Sequence, residues 1–146
     1  MKWIPQLAAC FVMMFVALAC ARGADDGFRA SKPEVRKAVV TIVEGQLAAF
    51  RTGDLKQAYG YASSALRAQK PLRVFTTIVQ ENYPEIWANT RAECGLVHDD
   101  GEHATLVVHV FTKANDAAYD YTLTKESAGW RIAAVLRHAT KTNDTL

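Results

Sequence analysis

Histidine and cysteine are the side chains of this sequence that could carry acid–base or nucleophilic chemistry. His109 is the candidate general base, because an imidazole exchanges a proton near neutral pH. Cys94 is a possible nucleophile, but the sequence puts no basic group beside it, and a buried apolar cysteine is usually inert. The other histidines, His98, His103 and His138, fall near predicted strand ends and give no metal-binding spacing such as H-E-x-x-H. No metal site and no cofactor are therefore predicted.

The elements that must position these side chains begin after an N-terminal targeting segment. The stretch "MKWIPQLAACFVMMFVALACARGADD" has a basic Lys2, an apolar run from Leu7 to Ala21, and then small residues. This layout is typical of a secretory signal peptide, so residues 1–23 are predicted to be removed by cleavage between 19 and 24. The run is short for a membrane-spanning helix, which needs ~18 or more apolar residues. We expect an exported protein, periplasmic or secreted, with an uncleaved membrane anchor as the alternative.

A second type of processing is also compatible with this segment. The sequence "VALAC" resembles a bacterial lipobox, in which Cys20 would carry a lipid. The resemblance is imperfect, because Leu18 is one place nearer the cysteine than lipoboxes prefer. The alternative location is thus the outer membrane as a lipoprotein, and contact with a membrane is expected only if Cys20 is lipidated.

Composition excludes several other classes of protein. The 146 residues suffice for one domain with a core, and half of them are apolar. Lys and Arg number 17 against 15 Asp and Glu, and this near balance argues against a nucleic-acid partner. Only Cys94 certainly remains after processing, so no internal disulfide is expected.

Helical spacing dominates the first half of the mature chain. After a mobile lead-in at 24–32, Ser31 is the predicted N-cap of a first helix that starts near Pro33. Gly53 and Asp54 mark the end of that helix and the N-cap of a second. A third helix is predicted to start at Pro71 and to end at Tyr83, before Pro84.

Apolar alternation dominates the second half. Four strands are predicted at about 90–98, 103–112, 118–125 and 129–138, followed by a polar tail at 139–146. Helices followed by an antiparallel meander indicate an α+β domain over 33–138 with the helices on one face of the sheet.

The register of the strands decides which side chains face the helices. Two-residue turns at Asp100-Gly101 and Ser127-Ala128, with a three-residue loop at 114–116, put His109 on the inner face. The outer face then carries Leu106, Val108 and Val110, a surface that would suit a homodimer. A one-residue slip in the middle hairpin would reverse the assignment of His109.

Several segments carry a resemblance to known families. The stretch "QLAAFRTGDLKQAYGYASSALRAQ", the "YP" at Tyr83-Pro84 and the final "WRI" resemble the bacterial domain of unknown function 4864 family, within the NTF2-like superfamily. The resemblance implies a cone-shaped fold, in which three N-terminal helices pack on a curved four-stranded antiparallel sheet and often leave a pocket. The superfamily includes isomerases, dehydratases, hydrolases and many non-enzymatic members, and the narrower family has no established function.

Aromatic side chains from helices and strands are the candidates for lining that pocket. Phe50 is predicted to lie in the core, and the predicted pocket residues are Tyr59, Tyr83, His109, Tyr121 and Trp130. The leading hypothesis is a non-catalytic module of the bacterial envelope that binds a small apolar ligand or acts as an accessory protein. The alternatives are an enzyme acting on a small apolar ligand with His109 as base, and a protein-interaction domain that uses the outer sheet face.

Overall fold

The computed structural model describes residues 27–138. The predicted signal peptide, the candidate lipid-attachment residue Cys20 and the tail at 139–146 lie outside this range. The described residues form a mixed helical and antiparallel-sheet (α+β) fold, as predicted. The helices are α1 (Pro33–Thr52), α2 (Leu55–Gly60), α3 (Ser64–Gln69), α4 (Leu72–Asn82) and α5 (Pro84–Trp87). The strands are β1 (Arg29–Ala30), β2 (Arg91–Cys94), β3 (His98–Asp99), β4 (His103–Phe111), β5 (Asp116–Glu126) and β6 (Gly129–Arg137).

Helix α1 is the long central helix, and its buried face follows the predicted spacing. Val39, Val43, Leu47 and Phe50 recur every three or four residues, and the first three are fully buried. Burial of each such side chain is worth about 1.5–3 kcal/mol, so this stripe fixes α1 against the sheet. Contacts with β2 at one side of the sheet and β6 at the other make α1 the element that spans the core.

The N-terminus of α1 differs from the prediction in its cap. Lys32 is the N-cap and provides no side-chain hydrogen bond, whereas the hydroxyl of Ser31 donates to the carboxylate of Asp99. Ser31 directly follows β1, and the pairing of β1 with β3 brings the Ser31 side chain to Asp99. Part of the predicted lead-in at 24–32 is therefore a strand.

The junction between α1 and α2 confirms the helix end and start read from the sequence. Gly53 has a φ of 73°, the left-handed conformation that glycine tolerates best, and its N–H bonds back to α1. The Asp54 carboxylate accepts a hydrogen bond from the N–H of Gln57 at 3.1 Å, as an N-cap should.

The structure has two short helices that the sequence pattern did not predict. Helix α3 begins after Ser63, whose hydroxyl accepts from the N–H of Leu66 at 3.2 Å. Helix α5 follows α4 directly, with Tyr83 as the residue between them. The predicted end at Tyr83 is correct, but Pro84 also serves as the first residue of a new turn.

Within residues 27–138, the sheet has six strands where four were predicted. Its order is β1-β3-β4-β5-β6, with β2 also pairing to β4. The strand predicted at 90–98 is divided into β2 and β3, because its register against β4 changes by one residue between Cys94 and His98. Gly95 lies at this irregularity, and a Cβ there would lie only 3.0 Å from the carbonyl oxygen of Val107.

The predicted register of the hairpin between β4 and β5 is wrong. The loop has four residues, Thr112–Asn115, so that Phe111 pairs with Asp116 and His109 with Ala118. The Thr112 hydroxyl closes this loop, because it accepts from the N–H groups of Ala114 and Asn115. The loop therefore starts two residues earlier than the pattern indicated.

The turn before β4 is displaced as well. Asp100 pairs with His103, leaving Gly101 and Glu102 as the two turn residues instead of Asp100 and Gly101. The Asp100 carboxylate accepts from the N–H groups of Glu102 and His103 and stabilises this position. Gly101 has a φ of 94°, which a two-residue hairpin turn accommodates when glycine comes first.

The faces of β4 are exchanged relative to the prediction by the four-residue loop after it and by the one-residue irregularity at Gly95. The displaced turn does not contribute to this exchange, because it still has two residues. Leu106, Val108 and Val110 lie in the core with at most 4% of their surface exposed. His109 lies on the outer face, opposite the helices. The prediction of an inward His109 is wrong, and the three residues assigned to a homodimer surface are buried within the chain.

The last hairpin keeps its predicted turn but gains a bulge. Glu126 pairs with Gly129 across Ser127 and Ala128, and Leu123 pairs with Ile132, both as predicted. A β-bulge at Thr122/Leu123 then shifts the register by one residue. As a result Leu136, which the uninterrupted register would turn inward opposite Tyr119, pairs with Asp120 and is 67% exposed.

Candidate functional site

The candidate site is an apolar cavity between the helices and the edge strand β6. It has a volume of about 100 Å³. Helices α1, α3 and α4, the α4–α5 junction and β6 all contribute to its wall. We call it the β6 cavity, and its lining residues are Gln46, Phe50, Leu66, Lys70, Phe75, Ile78, Val79, Tyr83, Ile86, Ile132, Ala134 and Val135.

Aromatic packing holds the helices around this cavity. The rings of Phe50 and Phe75 stack with their centroids 6.2 Å apart and form one wall. The rings of Tyr59 and Phe75 pack in a T-shaped arrangement with their centroids 5.3 Å apart. Aromatic pairs of this geometry contribute about 0.5–1.5 kcal/mol beyond their area burial. The junction of α1 and α2 is thereby tied to α4.

The loop between α3 and α4 is fixed by the hydroxyl of Tyr59. This hydroxyl donates to the carbonyl oxygens of Arg67 at 2.9 Å and Lys70 at 2.7 Å, as alternatives or as a shared bond. The N–H of Lys70 in turn donates to the carbonyl of Leu66 at 2.9 Å. Two of the lining residues, Leu66 and Lys70, are positioned in this way.

Three lining side chains are polar, and two of them have structural partners. The buried Gln46 amide nitrogen donates to the carbonyl oxygen of Ala58 at 3.1 Å. The Tyr83 hydroxyl donates to the carbonyl oxygen of Val135 at 2.8 Å, on the outer edge of β6. The third is Lys70, which is half-buried. The lining residues include no carboxylate and no imidazole.

The five predicted pocket residues are dispersed by the fold. Tyr83 lines the β6 cavity, whereas Tyr59 supports it from behind Phe75. Tyr121 is wholly buried in the core, and Trp130 is buried at the start of β6. His109 is on the outer face of the sheet. Only Tyr83 among the five therefore reaches the cavity directly.

His109 has partners of its own on the outer face. Its Nε2 lies 2.5 Å from a carboxylate oxygen of Asp116, and its ring stacks on Phe111 with centroids 4.6 Å apart. The guanidinium of Arg91 covers Phe111 at 3.9 Å. Because its side chain is 45% exposed on the outer face and does not line the β6 cavity, His109 is not arranged to act on a ligand bound there.

Cys94 lies at an open groove between α1 and β2, away from the cavity. Arg36, Lys37, Glu44 and Glu93 also line this groove. Burial, with a smaller contribution from the negative charge of Glu44, raises the pKa of the Cys94 thiol to about 11. The thiol is protonated at neutral pH, so it is poorly suited to act as a nucleophile.

An ionic cluster beside the cavity, in which Glu85 is buried and Arg137 is about half exposed, was not predicted from the sequence. The Glu85 carboxylate is 5% exposed and accepts from the Tyr119 hydroxyl at 2.5 Å and from Arg137 at 2.8 and 2.9 Å. Asn115 adds a fourth hydrogen bond at 3.2 Å. Burial by itself raises the pKa of Glu85, but the hydrogen bonds from Arg137 and Tyr119 outweigh it and lower the pKa.

The cluster is a product of the bulge in β6. The one-residue shift puts Arg137 opposite Tyr119, within reach of α5. Burial and, to a smaller extent, the hydrogen bond to the Glu85 carboxylate raise the pKa of the Tyr119 hydroxyl, which therefore stays protonated and donates. The sequence feature that could have indicated this cluster is Glu85 itself, because it is a charged residue between Pro84 and the apolar Ile86-Trp87. Every strong acceptor in the cluster is matched, so we interpret it as structural support for the α5 end of the cavity.

Two further features, a metal-binding group of side chains and a membrane-spanning helix, are absent from the part of the chain that the structure describes. Within residues 27–138, no group of three or more His, Cys, Asp or Glu side chains is arranged to hold a metal ion. No helix in this range is both long enough and apolar enough to cross a bilayer.

These features define an α+β domain with a small apolar cavity at the edge of its sheet. The chain belongs to the family described as domain of unknown function DUF4864, which it matches over residues 32–145. The match includes every helix from α1 onward and strands β2 to β6, and thus all residues of the β6 cavity. A comparison with curated proteins found no match.

Proposed function

We propose that the protein is a non-catalytic binding module that holds a small apolar group in the β6 cavity. The observation that carries the proposal is the cavity itself, about 100 Å³ of space walled by Phe50, Phe75, Val79 and Ile132. Apolar cavities in well-packed proteins are few, and they stay dry and take up apolar molecules of matching size. A space of this volume suits a group of about four carbon atoms, smaller than the benzene that fills a cavity of about 150 Å³.

The polar groups around the cavity favour binding over catalysis. Acid–base catalysis needs a group that exchanges a proton within hydrogen-bond reach of the substrate. The lining has neither a carboxylate nor an imidazole, and the Tyr83 hydroxyl is engaged by the carbonyl of Val135. The remaining ionisable side chain, Lys70, has no basic or acidic partner among the lining residues. His109, the base of the enzymatic alternative, lies on the opposite face of the sheet.

The order of the elements supports an NTF2-like architecture as part of this proposal. Helices come first, an antiparallel meander follows, and the cavity lies between the helices and the inner face of the sheet. The cavity is at the edge strand β6 and not at the sheet centre, because Tyr119, Tyr121 and Leu123 fill the centre.

A matched pair of tryptophan variants on α4 tests the binding proposal. Ile78→Trp would fill the cavity, whereas Val74→Trp enlarges a side chain that is 44% exposed and does not line it. The probe is 1-pentanol, added to ¹⁵N-labelled protein while backbone amide shifts are recorded. We expect shifts around Phe50, Phe75 and Val135 in the wild type and in Val74→Trp, and none there in Ile78→Trp. Absence of these shifts in the wild type, or their persistence in Ile78→Trp, would refute the proposal.

We further propose that this module is exported, on the basis of the charged start, short apolar run and small-residue exit of residues 1–23. Intact mass of the protein from its native host tests the proposal. A chain beginning between residues 20 and 24 is expected. A chain that begins at Met1 would overturn it, and an added lipid mass on a chain that begins at Cys20 would favour the lipoprotein alternative.

A further inference from the structure

The lining of the β6 cavity carries one charge, and that charge is positive. We use the term mouth for the partly exposed side of the lining on which Lys70 lies. Lys70 lies between α3 and α4, is half-buried, and is the one lining residue that bears a charge at neutral pH. Among the described residues, the ion pairs do not include Lys70. The cation is therefore available to a bound molecule.

The backbone of Lys70 is fixed, so its side chain starts from a defined place at the mouth. The carbonyl oxygen accepts from the Tyr59 hydroxyl, and the N–H donates to the carbonyl of Leu66. Leu66 and Phe75 line the same cavity as Lys70 and provide apolar surface there. An aliphatic stem can lie along such a surface while the ammonium stays near water.

An apolar space with a single cation at its mouth has a matching ligand chemistry. We propose that the cavity takes a small amphiphile, with a hydrocarbon end of about four carbons inside and an anionic group paired with Lys70. A neutral apolar molecule would leave the ammonium unpaired, and a cationic one would be repelled by it. This inference rests on the proposed function, because it assigns a ligand class to the same cavity.

Three probes of equal chain length separate the effect of charge from that of apolar burial. Pentanoate, 1-pentanol and pentylammonium share the butyl group, and each is titrated into the full protein while amide shifts of the cavity residues are recorded. We expect pentanoate to bind about fivefold more tightly than pentanol, the upper range for a partly exposed ion pair, and pentylammonium to bind most weakly. The preference for pentanoate should decline between 20 mM and 500 mM salt, because salt screens the pairing.

Two variants assign the preference to Lys70. Lys70→Met keeps the length of the apolar stem and removes the charge, so the difference between pentanoate and pentanol should disappear. Arg73→Met is the matched control, because Arg73 is an exposed cation on α4 that does not line the cavity. The preference should survive in Arg73→Met. If Lys70→Met does not fold, Lys70→Gln and the salt titration of the wild type make the same test.

The possible results separate this inference from the proposed function. If none of the three probes shifts the cavity residues, the proposed function fails and the inference fails with it. If pentanol binds but pentanoate is not preferred, or if its preference persists in Lys70→Met, the inference is overturned while the proposed function stands. A preference that is lost in Arg73→Met as readily as in Lys70→Met would also overturn it.

Discussion

Two buried tyrosines on β5 should respond in opposite ways to loss of their hydroxyl groups. Tyr119 and Tyr121 are two residues apart, face the same core, and have no exposed surface. The Tyr119 hydroxyl donates to the Glu85 carboxylate at 2.5 Å, whereas the Tyr121 hydroxyl has no partner among the described residues. The change to phenylalanine removes one oxygen in each case and keeps the ring.

The magnitudes follow from these partners. A hydrogen bond to a charged group is worth about 1.5–3 kcal/mol, so Tyr119→Phe should lower the free energy of unfolding by that amount. Burial of an unsatisfied polar group costs about 1–3 kcal/mol, so Tyr121→Phe should leave the free energy of unfolding unchanged or raise it by up to this amount. With a denaturation slope of about 2 kcal/mol per molar urea, the two midpoints should differ by about 0.75 M or more.

Equilibrium unfolding in urea at pH 7, followed by circular dichroism, measures both variants against the wild type. Equal slopes in the three proteins would show that only stability has changed. The reasoning is refuted if Tyr121→Phe loses more than about 1 kcal/mol, since its hydroxyl would then have a partner such as an internal water. It is also refuted if Tyr119→Phe is as stable as the wild type.

Three further outcomes are expected from other parts of the fold. The pKa of Glu85 lies below its ordinary value of 4.5, so its ionised form stabilises the fold above that pH and the contribution is lost as the pH falls through the lowered pKa. In urea titrations, the deficit of Glu85→Gln relative to the wild type should accordingly be largest at pH 7 and should shrink below about pH 4.5; a deficit that stays constant down to pH 3 contradicts this. Gly45→Ala should not stabilise the protein, because the new Cβ would lie 2.6 Å from the Tyr61 ring. In a Tyr61→Ala background the same change should stabilise the protein by about 0.5–1 kcal/mol through helix propensity, and an equal effect in both backgrounds would refute the clash. The Cys94 thiol should react with iodoacetamide at pH 7.5 at least about tenfold more slowly than glutathione, because little of it is in the thiolate form. Mass spectrometry of the peptide that contains Cys94 measures the rate, and a rate equal to that of glutathione would contradict burial of the thiol.

The sequence pattern predicted the strands best where the two faces of a strand differ in polarity. On β5, Tyr121 and Leu123 alternate with Asp120 and Thr122, so the inner face was predictable, and both apolar residues are buried. On β4 the pattern is ambiguous, because the run from Leu106 to Val108 is apolar on both faces. The orientation of β4 depends on the lengths of the flanking loops. An error of one residue in the predicted loop length moves every side chain of the strand to the opposite face of the sheet.

The hydrogen bonds that fix those loops are local and weakly encoded. Thr112 closes a four-residue loop through its hydroxyl, and Asp100 moves the preceding turn by one residue through its carboxylate. Many Thr and Asp residues in loops make no such bonds, so residue type alone does not predict them. This is why the family resemblance and the α+β class could be predicted while the position of His109 could not.

The cavity was predicted less well than the fold because it depends on a helix that the pattern did not reveal. Helix α3 carries Leu66 and leads to Lys70, and neither was a predicted pocket residue. Tyr83 was predicted as one of the aromatic candidates, and it does line the cavity. A space between packed elements reflects how they fit in three dimensions, and alternation along one element carries little information about it.

Aromatic side chains from α1, α2 and α4 serve both the core and the cavity, in different ways. Phe50 and Phe75 form the apolar wall, and their contribution is packing. Tyr59 does not line the cavity, but its hydroxyl is bonded to the carbonyl of Lys70, the residue that brings the charge to the mouth. Loss of this hydroxyl would therefore act on ligand binding through the position of Lys70 and not through a direct contact, which makes Tyr59 a positioning residue for the proposed site.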